Sequence, residues 1–324
     1  MMAEKTLKNP DLAVFAEKLS REESVALFCH VHPDGDTLGS ACALKIALVK
    51  LGKTCEVFCS DTIPEKYLFL PEIQTVKNVF CGKFSAYVAI DNAEVSRLGD
   101  FAPLFSEFFN TYNIDHHVSN NRYAKFNYVA ERSSNCENVF DLIDFLGVEV
   151  DTDIANLLYL GLMTDTGNFH HKNVTEETFL SAARLVKYGA DFNSAYYNAF
   201  TRQSKNRAKL FGSVMKKIRY FEEGKIAVIS VLLSDFEETQ AKRDETEGFI
   251  DFVMGIIGVK VGVCLMETEK DKFKVSLRSK EADVNAVASV FGGGGHKLAS
   301  GCRINGEYED AVDRVVSAVR RFLD

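Results

Sequence analysis

Within seven residues, His30-Val31-His32-Pro33-Asp34-Gly35-Asp36, the chain sets His30 and two carboxylates directly behind the apolar run Val25-Ala26-Leu27-Phe28-Cys29. A strand that ends in such a cluster delivers three ligands to one point, the crevice at the carboxyl end of an open α/β sheet. One imidazole with several carboxylates suits a hard or borderline divalent ion, whereas a closed zinc cage draws on thiolates. Taken alone, the segment reads equally well as a turn, because Pro, Asp and Gly gather in turns for backbone reasons. Three further places repeat the arrangement. Asp91 closes the apolar run 86–90, Asp115-His116-His117 closes the run 110–114, and Asp165 follows the helical stretch 153–163. Each has an ordinary reading as a cap, a turn residue or a satisfied histidine. Four coincidences at element ends, using three of the seven histidines, favour a shared metal centre. Carboxylate–imidazole sets of this kind can hold two metals roughly 3.5–4 Å apart and activate a bridging water.

The elements that position these residues follow from periodicity and stop signals. Strands are expected at 25–31, 54–59, 86–90 and 110–114. A helix is expected over 37–51, stopped by Gly52, whose missing side chain suits a left-handed cap. Ser134-Asn135-Cys136-Glu137 has the pattern of a capping box opening a helix through Leu146. From 175 to about 221 the pattern is mainly helical, with a basic run from Arg202 to Lys209 that reads first as a solvated face. Beyond it, strands at 226–233, 259–266 and 272–278 with helices at 245–254, 283–291 and 309–322 make a smaller α/β domain.

A chain of 324 residues, 46% hydrophobic and 26% charged, is an ordinary globular composition with room for two domains. The expected division is 1–190, a helical connector at 191–220, and 221–324. Eight cysteines without a C-x-x-C pair, most of them in apolar runs, read as buried thiols of a reducing compartment. No apolar stretch is long enough to span a bilayer, and Met1-Met2-Ala3-Glu4-Lys5 lacks the apolar core of a signal peptide. A cytoplasmic protein without a membrane partner is therefore expected. A net charge of −8 argues against gripping long nucleic acid by counterion release. A small anionic substrate held by metals and a few cations is easier to reconcile with that balance.

Four segments together resemble the DHH phosphoesterases. They are Cys29 to Ser40 (Cys-His-Val-His-Pro-Asp-Gly-Asp-Thr-Leu-Gly-Ser), Ala89-Ile90-Asp91, Asn113-Ile114-Asp115-His116-His117 and Thr164-Asp165-Thr166-Gly167. The end of the chain resembles the DHH-associated C-terminal domain through Lys274-Val275-Ser276-Leu277-Arg278-Ser279 and the run Phe291 to Gly301 (Phe-Gly-Gly-Gly-Gly-His-Lys-Leu-Ala-Ser-Gly). Within the family the bacterial nanoRNase/pAp-phosphatase group is the nearest likeness. The resemblance implies an α/β fold: an N-terminal parallel-sheet domain, a smaller C-terminal domain with a mixed sheet, and an active site in the cleft between them. It implies two manganese ions, with magnesium or cobalt as substitutes. His30, Asp34 and Asp91 would hold the first ion, and Asp36, Asp91, His116 and Asp165 the second, with Asp91 bridging. His117 would face the substrate phosphate, and Asp115 would orient a histidine. Arg278, with its planar fork, and the run Gly293, Gly294, Gly295 and His296 would form a substrate-binding wall.

The activity so implied is hydrolysis of short oligoribonucleotides to nucleoside 5′-monophosphates, with removal of the 3′-phosphate of pAp. A cyclic-dinucleotide or linear pNpN phosphodiesterase would need the same groups. A manganese-dependent pyrophosphatase would lack the glycine–histidine ending, and a long-strand exonuclease would carry extra domains. A catalytically idle nucleotide sensor has no need of the full metal set. A homodimer is compatible with this reading. His32 and His170-His171 depart from the family's pattern; the first is expected beside the site, the second in a loop close to Asp165.

Overall fold

A computed structural model describes residues 9–323; the opening residues Met1 to Lys5, read above for the absence of a signal peptide, lie outside them. The chain divides into two compact units, Met1–Arg202 and Gln203–Asp324. The first is built on five parallel strands, β1 (Ser24–Phe28), β2 (Thr54–Phe58), β3 (Ala86–Ile90), β4 (Thr111–Asp115) and β5 (Phe126–Val129), in the order β2-β1-β3-β4-β5. Its helices are α1 (Pro10–Ser20), α2 (Gly35–Lys50), α3 (Ala102–Glu107), α4 (Asn135–Phe145), α5 (Thr152–Asp165), α6 (Glu176–Lys187) and α7 (Phe192–Tyr196).

Strand β1 explains why the sheet is covered twice. Val25 and Leu27 join one apolar core with Leu38, Leu44, Val88 and Leu158, while Ala26 and Phe28 join another with Phe58, Tyr87, Phe101 and Phe105. A parallel strand with both faces buried reads as a continuous apolar run, as this one does. The strand order reverses between β1 and β3, which makes their carboxyl ends a topological switch point, the usual ligand crevice of an open α/β sheet. Close approach of α2 and α5 depends on two glycines: a Cβ at Gly39 would run into the Leu157 carbonyl, and one at Gly161 into Asp36 of α2 as well as Cys136 Sγ of α4.

The second unit has six strands, β6 (Arg219–Phe221), β7 (Ile226–Val231), β8 (Val261–Glu269), β9 (Lys272–Ser279), β10 (Gly294–His296) and β11 (Ala299–Asn305), in the order β10-β11-β9-β8-β7-β6. Only β7 and β8 run parallel. Helices α8 (Lys205–Lys216), α9 (Leu233–Thr239), α10 (Phe249–Met254), α11 (Val284–Ser289) and α12 (Tyr308–Arg320) cover it. Again alternate residues of β7 feed two cores, Ile226 and Val228 one, Ala227, Ile229 and Val231 the other.

Several sequence expectations need correction. The helix expected from Glu245 begins only at Phe249, because Gly248 takes φ 81° and breaks it from the 3₁₀ turn Arg243–Thr246. The strand expected to Leu233 stops at Val231, and Leu233 opens α9. The stretch expected to be mainly helical to about 221 ends in β6, an edge strand of three residues. Among the described residues, no helix is long and apolar enough to cross a membrane.

Candidate metal centre

The carboxyl ends of β1, β3 and β4 and the two ends of helices α2 and α5 converge. Each of the six residues singled out as a ligand arrives from one of these ends. Asp34 is the N-cap of α2: its Oδ1 accepts from the amides of Asp36 (2.9 Å) and Thr37 (3.1 Å), which fixes the turn after Pro33. Asp91 follows β3 in the left-handed region, φ 56°, with its amide on the Ile114 carbonyl at 3.0 Å. Asp is among the few side chains that tolerate this backbone, and the turn aims its carboxylate across the strand ends.

Three overlapping groups result: His30, Asp34 and Asp91; Asp36, His116 and Asp165; and Asp91, His116 and His117. His30 Nε2 lies 3.5 Å from Asp91 Oδ2 and 3.8 Å from Asp34 Oδ1. His116 Nε2 lies 3.3 Å from Asp91 Oδ1, 3.6 Å from Asp165 Oδ2 and 3.8 Å from Asp36 Oδ2. These gaps are long for hydrogen bonds. They match ligand atoms around a cation, since metal–ligand bonds of about 2.1 Å put neighbouring ligands roughly 3 Å or more apart. Asp91 Oδ1 is buried without a hydrogen-bond partner, an oxygen that burial penalises unless a cation meets it. The residues present therefore fit a metal centre, with Asp91 common to both halves.

Backbone carbonyls set the imidazoles. His30 Nδ1 lies 2.8 Å from the Val31 carbonyl and His116 Nδ1 lies 3.0 Å from the Arg132 carbonyl, so each ring turns Nε2 toward the carboxylates. His117 differs: its Nδ1 is 2.8 Å from Asp115 Oδ1, and the side chain is 42% exposed. With Nδ1 spent on Asp115, Nε2 remains for solvent or substrate. Asp115 itself is held by Asn120 Nδ2, 2.6 Å from Oδ2, and the same amide reaches Asn113 Oδ1 at 2.8 Å. Sequence reasoning missed Asn120; its only signal is a polar loop residue five positions after an acid.

Electrostatics follow from four acids crowded with two imidazoles. Burial works against charge on His30, yet Asp34 and Asp91 outweigh it and push its pKa up to about 10. Burial is likewise overridden at His116, which Asp91 and Asp36 carry to about 11. Asp91 is held below the usual carboxylate range: burial opposes this, and the two histidines win. Burial, then the charge of Asp91, push Asp165 up to about 6. Asp36 is raised for the same two reasons. Without a cation the cluster retains protons to balance its charge.

One expected feature is wrong in detail. Ser134 caps α4 with its position only; no side-chain bond forms, and Glu137 Oε2 takes the Ser133 amide at 2.9 Å. The amides of the first two helical residues, Asn135 and Cys136, go instead to Asp36, a hundred residues away. His32 turns aside at φ 54° and pairs with Asp61, with Nδ1 3.3 Å from Oδ2. His171 Nδ1 lies 3.2 Å from the Asp165 carbonyl, and His170 folds onto the Asn168 carbonyl.

In the second unit Arg278 is the last residue but one of β9, its Nε 3.9 Å from Asp251 Oδ1. The last two glycines of the run, with His296, form β10 and pair with β11. A Cβ at Gly293 would strike the Gly301 carbonyl, and one at Gly295, φ 151°, would meet the Ala299 carbonyl at 2.7 Å. The Gly293 amide goes to the Ala288 carbonyl and the Gly295 amide to Asn285 Oδ1. These two glycines thus answer to backbone packing, and their amides are already engaged. Gly294 and His296 are exposed.

Residues 24–162 match the DHH family N-terminal domain, and residues 223–324 match the DHHA1 domain. The chain belongs to the DHH family. Among its relatives, the bifunctional oligoribonuclease and PAP phosphatase NrnA of Thermus thermophilus is 32% identical over 320 residues, covering 96% of this chain and 94% of its own. The protein of that name from Bacillus subtilis is 28% identical over 306 residues, covering 92% and 94%. A crystal structure described as an exopolyphosphatase-related protein from Bacteroides fragilis superposes with a TM-score of 0.82 at 25% identity, covering 97% of this chain and 96% of that one.

Proposed function

We propose that this chain is a two-metal phosphoesterase that cleaves short oligoribonucleotides to nucleoside 5′-monophosphates and removes the 3′-phosphate of pAp. Family membership and the activities named for the two relatives support the reaction class. The observation that carries the reading is Asp91, whose two carboxylate oxygens face His30 on one side and His116 on the other. His30, Asp34 and Asp91 would hold one ion; Asp36, Asp91, His116 and Asp165 would hold the other. Mixed imidazole and carboxylate ligands favour a first-row ion such as manganese over magnesium. Held by these residues, two such ions would acidify a water for attack at neutral pH and would share the charge on the phosphoryl oxygens.

The chain's own groups do the rest. Asp115, followed by opposing burial, raises the pKa of His117 above that of a free imidazole. His117 thereby keeps a proton to pass to the leaving oxygen. Arg278 offers a bidentate fork to a second phosphate, and His296 a ring for a nucleotide. Gly293, Gly294 and Gly295 contribute a wall without side chains. The test is a substrate panel of pAp, RNA of two to five nucleotides, linear and cyclic dinucleotides, and pyrophosphate. Among these, pAp and short RNA should be used best. Arg278→Ala and His296→Ala should each weaken their use roughly tenfold or more at unchanged metal content, while a generic aryl phosphodiester suffers less. Preference for a cyclic or linear dinucleotide would replace the proposed substrate; equal loss on all substrates would assign Arg278 and His296 to chemistry or folding.

Metal uptake should also release protons. His30 and His116 hold theirs up to about 10 and 11 in the metal-free protein, and a ligating imidazole must give one up. At pH 7 both are protonated, so binding displaces them, and lower pH weakens binding by roughly tenfold per unit for each proton displaced. Calorimetry of manganese binding in buffers of different ionisation enthalpy measures that number directly. Uptake without proton release would contradict the ligand roles given to these histidines.

A further inference from the structure

The two halves of the centre are braced by different parts of the fold. Helix α4 begins without a side-chain cap from Ser134, whose Oγ is buried without a partner. The amides of its first two residues reach across to a single carboxylate: Asn135 N lies 2.6 Å from Asp36 Oδ2, and Cys136 N lies 2.9 Å from Asp36 Oδ1. Just upstream, the Arg132 carbonyl sits 3.0 Å from His116 Nδ1. Asn138, one turn into the helix, ties the segment to the strand end that carries His116. Its Nδ2 donates to the Asp115 carbonyl at 3.1 Å and the Ala130 carbonyl at 3.0 Å. Asp36, Asn135 and Asn138 are all fully buried. Among the described residues, residues 130–138 make no hydrogen bond to His30, Asp34 or Asp91; those are set by the Val31 carbonyl, the first turn of α2 and the Ile114 carbonyl.

We propose that the N-terminus of α4 is a positioning device for one ion of the pair: its two amides clamp Asp36 and the preceding carbonyl fixes His116. Occupancy of the Asp36–His116–Asp165 half then depends on this helix end, while the His30–Asp34 half does not. The inference rests on the two-metal reading above. Its physical basis is that amide bonds to a carboxylate are charge-assisted and are reinforced by the positive end of the helix. A buried carboxylate held in this way presents its remaining lone pairs in one direction. Loss of such an outer partner costs about ten- to a hundredfold in metal affinity.

Asn135 allows one donor to be deleted without breaking the helix. It is the first helical residue, where proline fits because its missing N–H has no intrahelical partner. Ser134 already has the extended backbone, φ −155° and ψ 158°, that a residue before proline requires. Asn135→Pro therefore removes the 2.6 Å bond to Asp36, and Asn135→Ala, which keeps the amide, sets the baseline for losing the side chain. Manganese binding to the full chain is followed by calorimetry and by elemental analysis after dialysis, with Tm recorded in chelator. Wild type should bind two ions. Relative to Asn135→Ala, Asn135→Pro should weaken one of them by about ten- to a hundredfold, leave the other in place, and match it in metal-free Tm. Asn138→Ala, which frees the segment from the strand end, should show the same selective loss to a smaller degree and stands in if the proline variant does not fold. Equal binding in the alanine and proline variants, or equal weakening of both ions, overturns the proposal. A wild type that binds fewer than two ions overturns the two-metal reading, and this inference with it.

Discussion

Asp91→Asn leaves a folded protein that retains little metal and hydrolyses neither pAp nor short RNA above background. Asn tolerates the left-handed backbone at φ 56° as Asp does, so the turn after β3 survives the change. What is lost is the charge that faces both imidazoles: Asp91 Oδ2 on His30 and Oδ1 on His116. In the proposed two-metal centre the substitution removes the one ligand common to both halves, so turnover should fall at least about a thousandfold. Elemental analysis of the dialysed protein and single-turnover hydrolysis check the two parts separately. A variant that keeps two ions would strip Asp91 of its bridging role.

His117→Gln gives the opposite pattern, full metal content with turnover reduced by about a hundred- to ten-thousandfold. The ring's Nδ1 is committed to Asp115 at 2.8 Å, and its partly exposed position leaves the other nitrogen free for substrate. Removing a proton donor of this kind lowers kcat and kcat/KM together, because the interaction is made only as the leaving oxygen departs. Metal loss equal to that of Asp91→Asn would show that His117 is a ligand after all.

Much of this centre was legible in the sequence because parallel strands advertise themselves. Ala86–Ile90 is apolar on both faces and Thr111–Asp115 is buried along its whole length, so an acid or histidine at their carboxyl ends lies at the crevice. What escaped notice depends on contacts between distant residues. The motif at Ser134 satisfies the spacing of a capping box, yet the helix is capped by Asp36, which no local pattern can reveal. Strand β5 was missed because Phe126-Asn127-Tyr128-Val129 is short and interrupted by Asn127, and it is held as a strand by pairing with β4. Strand β10 was hidden for a related reason: glycines read as loop, and here they are the only residues that allow the chain to lie against β11. The same packing engages the amides of Gly293 and Gly295 within the run expected as a substrate-binding wall.

The most direct test is hydrolysis of pAp by protein stripped with chelator, dialysed, and titrated with manganese while bound ions are counted. The account predicts no hydrolysis in the stripped protein, little with one ion bound per chain, and full rate as the second fills. Full rate in the stripped protein, or a plateau at one bound ion, would contradict a two-metal centre bridged by Asp91.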